Sequence, residues 1–246
     1  MTPLWIALQF LTIVPIHLKQ MPSPQQNAAS LLFYPLIGLG IGLILFALAN
    51  LWSVLPHVLS ASLILGCWVI LTGGLHLDGL ADSADAWVGG FGDRTRTLEI
   101  MKDPRSGPIG VLSLVLLCLV KWSSLYVLLD QQMLYALILF PVLGRLAPLF
   151  LLLSCDYVRA TWLGSSMAHF LPKTWAIIIL ISSLAASAFW GWRGLFSATW
   201  VLLGLLWLRH CFIARIGGVT GDTLGAAIEV SEAVALLGFV CVAYYL

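Results

Sequence analysis

The chain has 246 residues, 61% hydrophobic and only 9% charged, with a mean hydropathy of +1.00; a soluble domain carries about 25% charged residues, so water is excluded as the solvent for most of it. A net charge of +1 on 12 scattered Lys and Arg leaves no basic patch for nucleic acid. The five cysteines are odd in number, lie mostly inside apolar runs and form no C-x-x-C pair, so they suggest neither a disulfide framework nor a zinc site.

A bilayer-spanning helix needs about 20 mostly apolar residues. The first 16 residues, MTPLWIALQFLTIVPI, are short for that, lack the basic start and small-residue cleavage site of a signal peptide, and read as a retained interfacial or re-entrant segment. Seven further apolar runs follow, near Leu31–Leu51, Val58–Leu77, Ile109–Leu129, Met133–Leu153, Thr174–Trp192, Leu195–Trp207 (short, extendable to Ile213) and Val230–Leu246. Each is expected to be a helix, because lipid offers a backbone no hydrogen bonds. The expected architecture is an all-α, polytopic transmembrane bundle of about seven spans forming one domain over residues 1–246.

Basic residues in short loops stay on the cytoplasmic side. With the N-terminus inside, Lys19, Arg94, Arg96, Lys102, Arg105, Arg159, Lys173, Arg209 and Arg215 share that side, and Arg193 alone takes the other. Lys121 and Arg145 fall within spans, where an unpaired charge costs at least ~2.5–3.5 kcal/mol.

Ten of the 23 charged residues lie between positions 78 and 105. There a hydrophobic run leads into GGLHLDGLADSADAW and then into a basic loop. Asp78, Asp82 and Asp85 stand at i, i+4 and i+7, within about 60° of one another on a helix. Three carboxylates on one face repel, and their all-oxygen donor set points to Mg²⁺, Mn²⁺ or Ca²⁺ as the compensating charge. The loop adds Lys102 and Arg105 beside Asp103, Ser106 and Gly107, donors that suit phosphate. A diphosphate bridged to a metal fits that pairing.

A second polar stretch, GGVTGDTLGAAIEVSE, carries Asp222, Glu229 and Glu232 on the same side. Gly73-Gly74-x-x-x-Asp78-x-Leu80 followed by Asp85 parallels Gly217-Gly218-x-x-x-Asp222-x-Leu224 followed by Glu229. The parallel predicts that the two motifs close one cavity, with Asp222 near Asp82 and with Glu229 facing metal-bound water or substrate. Arg145, about 12 Å inside its span, is expected to face the same cavity; Lys121 lies deeper. Of the histidines only His76 adjoins the cluster, where it can orient a carboxylate. A transporter also uses carboxylates and broken glycine-rich helices, but it needs them near the midplane, whereas both motifs fall at one boundary.

GGLHLDGLADSADAW, EIMKDPRSGPIG and GGVTGDTLGAAIE together resemble the cobalamin synthase family, the adenosylcobinamide-GDP ribazoletransferases, along the whole chain. The resemblance implies a Mg²⁺-dependent enzyme of the bacterial cytoplasmic (inner) membrane whose active site faces the cytoplasm. It implies attack by α-ribazole or its 5′-phosphate on adenosylcobinamide-GDP, giving adenosylcobalamin or its 5′-phosphate and GMP, at the end of nucleotide-loop assembly. Carried over by motif, Asp78, Asp82 and Asp85 are the metal and catalytic carboxylates and Lys102, Asp103 and Arg105 belong to the loop motif; with the second motif added, Asp222 is a further metal ligand and Arg145 and Glu229 contact substrate. One departure is Gly144 before Arg145, where the family pattern has Ser-Arg. The expected partners are the two substrates and the lipid bilayer, with an oligomer possible and no nucleic acid.

Overall fold

The computed structural model describes residues 2–18, 20–159 and 163–245, and it is all-α: one isolated parallel bridge, Tyr157 with Val219, is the sole extended pairing among the described residues. In chain order α1 (Thr2–Leu11), α2 (Pro24–Ser30) and α3 (Tyr34–Leu51) are followed by α4 (His57–Thr72), α5 (Leu75–Gly89) and α6 (Arg94–Ile100). Then come α7 (Pro108–Asp130), α8 (Leu139–Gly144), α9 (Leu146–Ser154), α10 (Leu163–His169), α11 (Lys173–Ala186), α12 (Gly191–Ile216) and α13 (Gly221–Tyr245). Lys19, and Leu246 at the end of the last apolar run, lie outside the described residues.

The stretch 134–154 and α13 form the centre, 78% and 72% buried, while α7 and the stretch 173–216 are only 22% and 11% buried. The outer helices nevertheless present Val115, Ile181, Trp200 and similar side chains outward. A surface as apolar as the core is that of a protein solvated by lipid. Close packing relies on missing side chains. Gly38 and Gly42, one turn apart on α3, meet the backbone of α8 and the turn before it, where an added Cβ would sit 2.5 Å from the Pro141 carbonyl oxygen and 2.7 Å from that of Ile138.

By length and hydropathy five helical stretches can cross a membrane, and six when the bent pair α4–α5 counts as one. One of the five, 173–216, doubles back at Gly191 (φ 65°). At its far ends Lys173, Arg209 and Gly217 line one recess, while near the turn the Trp190 indole donates to the Tyr135 carbonyl (3.0 Å). This hairpin contains the two apolar runs read separately in the sequence, and its second limb, α12, is 26 residues long rather than short. The ten-residue α1 is too short to span, and the Ile13 N–H behind it donates to the Leu71 carbonyl at the end of α4 (2.9 Å).

The run Val58–Leu77 departs from expectation. It is not one straight helix: Gly73 and Gly74 take left-handed φ values of 64° and 69°, ending α4 and sending α5 off at 89°. The carboxylates therefore do not prolong a span; they ride on a helix that crosses the end of the bundle.

Candidate active site

Two pairs of glycines build the site. Gly217 (φ 78°) ends α12 in the left-handed conformation as Gly73 ends α4, and the residue after each pair leads into a carboxylate-bearing helix. The backbone of Gly218 passes so close to the Asp156 carbonyl that a Cβ would collide with it. That approach allows the Val158 N–H to bond the Val219 carbonyl and the Val219 N–H to bond the Asp156 carbonyl, each at 2.9 Å. The segment carrying Tyr157 and Arg159 is thereby pinned beside the start of α13, which Thr220 and Thr223 cap reciprocally (2.8 and 3.3 Å).

α5 crosses the first turns of α13 at glycine contacts. A Cβ on Gly79 would lie 2.7 Å from the Asp222 carbonyl oxygen, and one on Gly225 would lie 3.3 Å from the His76 Cα. The crossing puts the two motifs into one site. Asp82 has the carboxylates of Asp78, Asp222 and Asp85 as repelling neighbours and Arg159 as its attracting one. Arg159 pairs with Asp222 at 2.9 Å and is itself almost buried. In the sequence Arg159 reads only as one more loop cation; its place among the aspartates depends on the Tyr157–Val219 bridge, which no local pattern announces.

Asp85 shares the α5 face but has a defined occupation. It accepts the Gly107 N–H (2.6 Å) and the Gly110 N–H (2.8 Å), capping the first turn of α7, where a carboxylate also meets the positive end of the helix dipole. Gly107 and Gly110 leave the room, since a Cβ on either would meet the Asp85 carboxylate. These bonds tie the 101–107 loop to α5. Within that loop Asp103 accepts from Arg105 Nε (2.9 Å) and a terminal guanidinium nitrogen (2.7 Å), and this pairing holds the Asp103 carboxyl down to about 2. The Arg105 side chain is 87% exposed and Lys102 is exposed.

The structure separates Arg145 and Glu229 from this group. Both belong to a sealed ion cluster deeper in the bundle. Lys121 Nζ contacts Glu229 (2.6 Å) and Glu232 (2.5 Å), Arg145 pairs with Glu232, and Lys121 lies 4.7 Å from the Trp68 ring centre. Arg145 and Glu232 are fully buried, and neither Arg145 nor Glu229 lines the cavity beside the aspartates. Depth along the chain places these residues at the right height, but in a low-dielectric interior two cations and two carboxylates neutralise one another's charge.

Among the described residues no three His, Cys, Asp or Glu side chains converge closely enough to enclose a metal unaided. The donor chemistry still fits Mg²⁺, which uses one or two carboxylates and completes its shell with water and substrate phosphate. Asp78 and Asp82 are the open donors, Asp222 faces them, and Asp85 has only its remaining lone pairs to add.

The sequence profile of the cobalamin-5-phosphate synthases matches residues 3–240, a range that contains every residue of both motifs and of the ion cluster. The chain belongs to that family. An Acinetobacter baumannii protein, adenosylcobinamide-GDP ribazoletransferase, is 55% identical over 100% of both chains. A Pseudomonas fluorescens protein of the same name is 51% identical over 97% of this chain and 98% of its own, and one from Pseudomonas savastanoi is 48% identical over 96% and 98%. No solved structure matches the chain.

Proposed function

We propose that this protein transfers the cobinamide phosphate of adenosylcobinamide-GDP to α-ribazole or its 5′-phosphate, releasing GMP, with Mg²⁺ as cofactor. The observation that carries the proposal is the convergence of Asp78, Asp82 and Asp222 with Arg159 at one end of an apolar bundle, in a chain that matches ribazoletransferases from end to end.

The ribazole hydroxyl attacks the phosphorus nearer cobinamide. A new P–O bond forms there, the bond to the GMP phosphate breaks, and the hydroxyl proton passes to a carboxylate, for which Asp82 is best placed among its three acidic neighbours. A divalent cation held by Asp78 and Asp82, with Asp222 facing its bound water, would neutralise the diphosphate and the charge that develops on the leaving phosphate. Arg159 holds the Asp222 carboxylate in place. Lys102 and Arg105, exposed on the loop that Asp85 ties to α5, steer and grip the outer phosphate oxygens. Asp85 keeps the loop and the start of α7 in register with α5. Arg145 and Glu229 act as structural charges rather than substrate contacts.

The site lies on the cytoplasmic side of a bacterial inner membrane, since the loops at that end carry nearly all the basic residues. Cysteines placed at Asp93 and Arg215 should label from the cytoplasm, and those at Asp130 and Arg193 from the opposite side. Labelling of positions 93 and 215 from opposite sides would separate the two motifs and undo the single site, and labelling of both from outside would break the orientation. For the activity, protein in lipid nanodiscs given adenosylcobinamide-GDP, α-ribazole and Mg²⁺ should release GMP, and chelation should stop it. Folded protein that releases none refutes the transferase assignment.

A further inference from the structure

Beside the α5–α13 crossing is a cavity of about 340 Å³. One side is apolar, made by Phe10, Leu31, Leu152 and Met167; the other presents His76, Asp78 and Asp222. The Tyr157 ring stands in its wall, packed so tightly on Gly164 that any side chain there would strike it. His76 is 5% exposed, and its Nδ1 has no hydrogen-bond partner. A buried ring nitrogen without a partner is costly, and a ligand hydroxyl in the cavity would supply one.

The transfer reaction brings three chemical groups to this end of the bundle. The corrinoid macrocycle with its side chains is too large, because small-molecule sites span ~300–1,000 Å³ and this one is at the bottom of that range. A guanine nucleotide is also a poor match, because its polar base edge would lie unpaired against Leu, Phe and Met. A nucleoside with an apolar fused-ring base satisfies both sides. Its base takes the apolar wall, and its ribose hydroxyls donate to the carboxylates and to His76 Nδ1. A lipid chain would fill the apolar half and leave His76 unsatisfied.

We propose that this cavity is the acceptor pocket, with the benzimidazole ring of ribazole against Phe10, Leu31, Leu152 and Met167 and its ribose against His76, Asp78 and Asp222, so that Met167 and its neighbours set which base is accepted. The assignment rests on the transferase function proposed above.

Titration calorimetry of α-ribazole into the protein in nanodiscs tests the pocket without turnover, and the KM of each substrate is read from GMP release. Met167→Trp fills the apolar half and should weaken α-ribazole binding at least ~10-fold, the scale of a crowded hydrophobic pocket, while the KM for adenosylcobinamide-GDP stays within about twofold. Met167→Ala leaves room and should raise affinity for a larger naphthimidazole riboside relative to α-ribazole by about 10-fold, which keeps the proposal testable if the Trp variant does not fold. His76→Ala should weaken α-ribazole binding, and His76→Asn, whose side chain can still bond the ribose, should recover part of it. A rise in the KM for adenosylcobinamide-GDP instead would hand the cavity to the donor. Unchanged affinities in the folded Met167 variants would make it an idle or lipid-filled space. Either result overturns the acceptor pocket while wild-type GMP release still supports the transferase; α-ribazole binding that obeys these variants without any GMP release would sink the transferase and keep a ribazole-binding pocket.

Discussion

Two groups of charged residues interrupt an otherwise apolar chain, and they are built in opposite ways. Deep in the bundle, Lys121 and Arg145 face Glu229 and Glu232 in a balanced, sealed cluster. At its end, Asp78, Asp82, Asp85 and Asp222 gather four carboxylates, with Arg159 beside Asp82 and Asp222, and Asp78 is exposed while Asp82 and Asp85 are half-buried. Charges that cancel within lipid hold helices together; charges left in excess beside an opening await a ligand. Charge content and position along the chain do not separate the two groups. Stoichiometry and access do.

The sharpest way to break that contrast is to unbalance the buried cluster. Glu232→Leu leaves Lys121 and Arg145 with one counter-charge between them and should cost about 3–5 kcal/mol, seen as a large drop in folded protein on thermal unfolding in detergent. Adding Arg145→Leu should recover much of the loss, because a hydrophobic replacement of a buried pair is often neutral. A single variant as stable as wild type would mean that the cluster is not structural.

Asp82→Asn probes the other group. It keeps the shape and removes one of several repelling charges, so stability should hold or rise slightly, whereas turnover should fall at least ~10²-fold. Turnover near wild type with normal membrane insertion would remove Asp82 from the chemistry.

Asp85 belongs to neither extreme. Asp85→Ala strips two N–H bonds from the start of α7 and should cost about 1–2 kcal/mol, the scale of a lost helix cap. Loosening of the 101–107 loop should raise the KM for adenosylcobinamide-GDP more than it lowers kcat. A fall in kcat alone would place Asp85 with Asp82.

The contrast also marks what a linear chain discloses. The shared face of Asp78, Asp82 and Asp85 is legible because helical periodicity is local, and the apolar runs are legible because lipid demands helices. The paired motifs were visible as spacing. The 89° turn at Gly73 and Gly74 was not, since two glycines signal freedom and not direction. Arg159 enters the site through the bridge that its neighbour Tyr157 makes to Val219, some 60 residues away in sequence. Arg145 and Glu229 were expected at the substrate because height within a span says nothing about which partner lies across from it.

The central claim, that the excess carboxylates at the bundle's end hold one divalent cation for phosphate chemistry, is tested most directly by electron paramagnetic resonance of Mn²⁺ titrated into the protein in nanodiscs with adenosylcobinamide-GDP present. Wild-type protein should bind Mn²⁺, release it to Mg²⁺, and lose the site in the Asp78→Asn/Asp82→Asn double variant; the same Mn²⁺ binding in that variant would contradict the claim.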